Sequence, residues 1–99
     1  MKKLPTSLEV LGQEIKVEHH PNLLKEFDCY GDWTQETNTI RVQSPNPDQK
    51  IPMDICFQAY MHEVLHACLD GIGSDLSEDE SFVESLSQVL YQAEKSRNA

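Results

Sequence analysis

Met53-Asp54-Ile55-Cys56-Phe57-Gln58-Ala59-Tyr60-Met61-His62-Glu63-Val64-Leu65-His66-Ala67-Cys68-Leu69 contains neither glycine nor proline and is rich in good helix formers. Residues 53–69 are therefore expected to form a helix. Ile55, Phe57, Ala59, Met61, Val64, Leu65, Cys68 and Leu69 make most of its circumference apolar, the mark of a central, buried helix. Gly71 and Gly73 are placed to stop it.

Working outward, Ser77-Glu78-Asp79-Glu80 opens a second helix that should run to about Lys95, with an apolar stripe of Phe82, Val83, Leu86, Val89, Leu90 and Ala93. Upstream, Leu8-Glu9-Val10-Leu11 and Ile15-Lys16-Val17-Glu18 alternate around Gly12, which reads as two strand segments joined by a turn or bulge. Residues 21–27 can form a helical turn started by Pro21. Residues 28–34 and 39–43 read as two strands joined around Glu36-Thr37-Asn38, with Ile40 and Val42 on one face. Pro45 and Pro47 make residues 44–48 a loop. A frayed tail is expected at residues 96–99. The fold class that follows is α+β: a small antiparallel sheet of about three strands packed on the residue 53–69 helix, braced by the C-terminal helix.

The chain has 99 residues, with 8 Lys+Arg against 17 Asp+Glu and a net charge of −9. Its size argues for one domain with a modest core, to which a bound metal would add stability. The acidity argues against nucleic acid, whose phosphates need a basic face, and against an anionic membrane surface. No run is long and apolar enough to span a bilayer. Met1-Lys2-Lys3-Leu4-Pro5 has no apolar stretch behind its lysines, so no signal peptide is expected and the cytoplasm is the expected compartment. Cys29, Cys56 and Cys68 are odd in number and form no C-x-x-C, which fits free thiols in a reducing compartment. Cys56 and Cys68 read as small core residues.

The chemistry is concentrated in His62-Glu63-Val64-Leu65-His66, an H-E-x-x-H pattern. Residues four apart lie one turn above each other on a helix, so both imidazoles can reach one ion at about 2.0–2.1 Å. Glu63, about a hundred degrees away, is poorly placed to ligate the same ion and well placed as a general base towards a metal-activated water. Two histidines and a glutamate on so apolar a helix are costly without partners, and a zinc ion supplies one. A third ligand is then needed. His19 and His20 read as strand-end surface residues, and Cys68, two positions after His66, points off the ligand face. The carboxylates of the second helix remain. Glu80 and Glu84 are one turn apart, with Glu80 nearer the edge of the apolar stripe. Ser77-Glu78-Asp79-Glu80 is equally an S-x-x-E capping box, in which Glu80 would bond back to the Ser77 amide.

His62-Glu63-Val64-Leu65-His66-Ala67, a short glycine-containing link, and Asp79-Glu80-Ser81-Phe82-Val83-Glu84 together resemble the gluzincin clan of zinc metallopeptidases. The resemblance is closest to the small ImmA/IrrE-like and minimal gluzincins often carried by phages. More loosely it takes in Gly31-Asp32 and Ile40-Arg41-Val42. It implies that residues 1–99 form a single minimal metallopeptidase-like domain, with His62, His66 and Glu80 as zinc ligands. It further implies Glu63 as the base and Glu84 as an acceptor orienting a ligand histidine. The chain lacks the C-terminal subdomain that forms the lower cleft wall in full-sized gluzincins, and no residue is obviously placed to stabilise an oxyanion. Tyr60 and Tyr91 qualify on position only, and read better as packing residues.

Two functions follow as expectations. One is a zinc-dependent peptidase acting on a peptide or protein substrate, with the residue 39–43 strand offering an edge to which an extended chain adds. The other is a non-catalytic protein-binding module in which zinc staples a small core. The intact Glu63 favours the first, because a staple has no need of a base.

Overall fold

A computed structural model describes residues 3–97 of the chain. Residues 98–99 of the expected frayed tail lie outside the described residues. The elements run β1 (Ser7–Val10), β2 (Gln13–His20), α1 (Leu23–Phe27), β3 (Gly31–Thr34), β4 (Thr39–Gln43), α2 (Met53–Gly71) and α3 (Glu80–Ser96). The fold is α+β, a four-stranded sheet with three helices.

The alternating residues of the N-terminal segment form the β1–β2 hairpin. Leu11 and Gly12 at its tip both have positive φ, 52° and 79°. Two such residues match the right-handed twist of the flanking strands.

Sheet order is β1-β2-β4-β3. β1–β2 and β3–β4 pair antiparallel, whereas β2 and β4 are parallel, with Val17 opposite Ile40 and His19 opposite Val42. The expected antiparallel sheet of three strands is thus a mixed sheet of four. The cause is the connection at residues 21–30, which carries the chain past one strand position before β3 begins. β4 then returns into the gap, parallel to β2. Gln43 holds that connection in place. Its fully buried amide accepts the Leu24 N–H at 2.8 Å and donates to the carbonyls of Pro21 and Ser44 at 2.6 and 2.8 Å. A buried amide so fully partnered specifies the crossing, because each lost bond would strand a polar group.

Ile40 and Val42 are completely buried beneath α2, with Ile15 and Val17 beside them. Each contributes about 1.5–3 kcal/mol of apolar burial. The sheet-facing stripe of α2 comprises Cys56, Phe57, Tyr60, Glu63 and Ala67, so Glu63 occupies a core position. Ile55, expected on the buried surface, is half exposed. Trp33 Nε1 donates to Asp70 Oδ2 at 2.8 Å, tying edge strand β3 to the C-terminal turn of α2.

A 3₁₀ turn, Asp75–Glu78, separates α2 from α3. Val83 and Ser87 are the buried contacts of α3, and Val89 is exposed despite its place in the expected apolar stripe. Phe82, Val83 and Leu86 keep the N-terminal half of that stripe inward, and Glu80 and Glu84 face the histidines of α2 as expected. All three thiols are free. Cys56 is fully buried and its pKa is pushed up to about 11 by desolvation, while Cys29 and Cys68 are half-buried. No helix among the described residues is long and apolar enough to cross a membrane.

Candidate metal centre

Helical spacing places His62 and His66 one turn apart on the face of α2 that meets α3, each with a side chain only 14% exposed. Glu80 is the first residue of α3 and stands at the mouth of the site. Its Oε1 lies 2.7 Å from His66 Nε2 and its Oε2 3.3 Å from His62 Nε2, while the two Nε2 atoms are 3.2 Å apart. Ligand atoms of all three residues fall within 4.8 Å of one another, so the group could hold a metal ion. The donor set fits one well. A tetrahedral ion with arms of about 2.0–2.1 Å has ligand–ligand edges of roughly 3.3 Å. The two imidazole nitrogens stand near that spacing at 3.2 Å, while Glu80 meets each histidine through a different oxygen, the closer at 2.7 Å.

The capping-box arrangement is not formed. Asp79 caps α3, its Oδ1 accepting the Phe82 N–H at 3.0 Å, and this places Glu80 at the first helical position rather than the third. Ser77 instead turns under α2. It is buried, and its Oγ lies 3.4 Å from His66 Nδ1 and 3.4 Å from the His66 carbonyl. The outer nitrogen of His62 faces a carboxylate, with Nδ1 3.6 Å from Glu84 Oε2.

Glu63 lies beside the triad without joining it. It is 8% exposed and packs over Gly31 of β3, where a Cβ would stand 3.2 Å from Glu63 Cγ and 3.1 Å from the Arg41 carbonyl oxygen. Burial pushes its carboxyl up to about 8, and the charges of Asp32, Glu80 and Glu84 add to the rise. Arg41 pairs with Asp32 on the outer face of the sheet, and its guanidinium stacks on Phe27 at 4.8 Å. Among the described residues Glu63 has no such partner. Its folded-state pKa of about 8 exceeds the ordinary 4.5, so the fold favours its protonated form and the metal-free protein should lose stability as pH rises between those values. Each pKa unit is worth about 1.4 kcal/mol, giving a ceiling of about 5 kcal/mol. After chelation, Glu63→Gln should therefore melt higher than wild type at about pH 9 and close to it at about pH 5. Equal melting temperatures at both would show that the carboxyl is not desolvated.

Two depressions flank the group. One is lined by Tyr30, Ile55, Gln58 and Ala59, the other by Asp32, Trp33 and His66, and both share Gly31, His62, Glu63 and Glu80. Together they make a trough along β3. The strand expected to offer a free edge, β4, is interior and paired on both sides, and β3 is the edge strand next to the site. His19 and His20 lie elsewhere, on β2. His19 Nε2 is 2.8 Å from the Pro5 carbonyl oxygen, and His20 is 3.2 Å from Glu18. Tyr60 packs edge-on against Phe57, and the Tyr91 hydroxyl donates to Asp54 at 2.7 Å, so neither lines the trough. Tyr30 does line it and was not singled out from the sequence. Gly31 entered only through the loose resemblance, with no role given to it, and Ser77 was missed as part of the site. Ser77 was concealed by a pattern that a helix cap satisfies equally well.

Comparison with protein-family models, with curated proteins and with solved structures returns no match to this chain.

Proposed function

We propose that this chain is a minimal zinc-dependent peptidase of the gluzincin type. The observation that carries the reading is the convergence of His62, His66 and Glu80 beside a buried Glu63 that stands outside the triad. Two imidazoles and a carboxylate suit zinc. Four carboxylates gather here, and among the described residues Asp32 is the one paired with an arginine, while Glu80 and Glu84 lie against the two histidines. A dication would relieve that repulsion and return Glu63 to its ionised form.

When bound, zinc supplies Lewis-acid polarisation of a carbonyl and acidification of water. The chain's own residues do the rest. Glu63 accepts the proton of the attacking water and can return it to the leaving amine. Glu84 orients His62 through Nδ1. The open edge of β3 offers backbone groups to an extended peptide lying in the trough, which brings its scissile bond past the triad. The two depressions at the site are open ones, so turnover is expected to be slow or narrowly selective. Elemental analysis for one zinc per chain tests the reading, together with cleavage of a mixed peptide library before and after chelation. A protein that stays metal-free after zinc loading would overturn it.

The third ligand can be checked separately. Loss of a group that orients a ligand costs about 10–100-fold in metal affinity, and loss of a ligand should cost more. Glu80→Ala is thus expected to weaken zinc binding beyond 100-fold and Glu84→Ala to stay within roughly that range, as read by competition with a chromophoric chelator. A worse defect in Glu84→Ala would exchange the two roles.

A further inference from the structure

We propose that Ser77 is the positioning residue of His66, fixing which imidazole nitrogen is left to face a metal. The inference rests on the metal-centre reading above. A buried hydroxyl needs partners, and it has one proton to donate and lone pairs to accept with. Both contacts of the Ser77 side chain are to His66. The hydroxyl donates to the His66 carbonyl, and the same oxygen lies 3.4 Å from Nδ1. A proton given to the carbonyl leaves Ser77 to accept from the ring, and this is the arrangement inferred. Nδ1 then carries the hydrogen, and the Nε2 lone pair is directed at the triad, between His62 Nε2 and Glu80.

Local structure holds Ser77 rigid for this task. Its own N–H donates to the Ser74 carbonyl at 3.3 Å, the Ser74 hydroxyl oxygen accepts the Leu76 N–H at 3.2 Å, and α3 is capped two residues later by Asp79. The two histidines are therefore steered differently. His62 faces a carboxylate, Glu84, on a solvated helix surface, whereas His66 faces a neutral hydroxyl buried under its own helix. A neutral acceptor fixes the ring without adding a further negative charge to a cluster that already holds Glu63, Glu80 and Glu84.

The test compares wild type, Ser77→Ala and Ser77→Thr by zinc competition titration and by proton exchange of the histidine ring N–H groups in the zinc-loaded protein. Ser77→Ala should bind zinc about 10–100-fold more weakly. The His66 Nδ1–H should lose its protection from solvent exchange, while that of His62, held by Glu84, is unchanged. Ser77→Thr, which keeps the hydroxyl, should restore both. Wild-type zinc affinity and His66 protection in Ser77→Ala would overturn the proposal and leave the metal centre standing. A wild type that binds no zinc would overturn the metal centre and this proposal with it. Loss of protection at both histidines together with a lower melting temperature of the metal-free protein would show that Ser77 only packs, and would also overturn it.

Discussion

His62→Ala and His66→Ala are each expected to abolish zinc binding and to remove the zinc-dependent part of the protein's thermal stability. The two Nε2 atoms stand 3.2 Å apart on consecutive turns of α2, and Glu80 spans them with one oxygen each. Removing either imidazole leaves two donors, too few for a four-coordinate ion to hold against water. Free zinc at a hundred times its dissociation constant stabilises the folded state by about 2.7 kcal/mol. In a chain of this size that corresponds to a melting-temperature gain on the order of 10–20 °C. Wild type should show that gain on zinc addition and the alanine variants should show none. Zinc-induced stabilisation of His62→Ala equal to that of wild type would place the metal elsewhere.

The second large effect belongs to Glu63→Gln. The change is nearly isosteric and removes only the carboxylate's basicity. Glu63 lies outside the triad and packs on Gly31, so the variant should keep both zinc and fold. A positioned base contributes about 10²–10⁴-fold, and peptide cleavage should fall by at least that much. Cleavage at the wild-type rate would contradict the role given to Glu63. Wild type and variant equally inert across a broad library, with zinc still bound, would favour a zinc-stapled binding module. A buried carboxyl pushed up to about 8 is the kind of perturbed group that catalysis uses, which is why the proposed role falls to Glu63.

The elements with strong local signals were legible. β4 has the bounds that its alternation indicates, because Ile40 and Val42 must both go inward and a one-residue slip would reverse every side chain. α2 spans the stretch free of glycine and proline and ends where Gly71 and Gly73 stop it. The insertion of β4 between β2 and β3 was not legible, since strand pairing is long-range and the anchor, Gln43, looks like any polar residue at a strand end. The face of α3 was legible over its first half, where Val83 is buried and Glu80 and Glu84 meet the histidines, but Val89 and Leu90 fit the same apolar period and are exposed. That His62 and His66 meet on one face of α2 with Glu63 off it followed from helical spacing. Ser77 did not, because S-x-x-E serves as a helix cap as readily as it hides a hydroxyl beneath a histidine.

Gly31 carries a consequence for how the proposed site could be lost. A Cβ at position 31 would stand 3.2 Å from Glu63 Cγ and 3.1 Å from the Arg41 carbonyl oxygen, so a side chain there would press on the base from behind. All three metal-facing residues would be left untouched. Under the proposed function, drift at this one position would disturb the proton acceptor while the ligand signature stayed intact. Histidines and glutamates alone would then be a poor guide to activity.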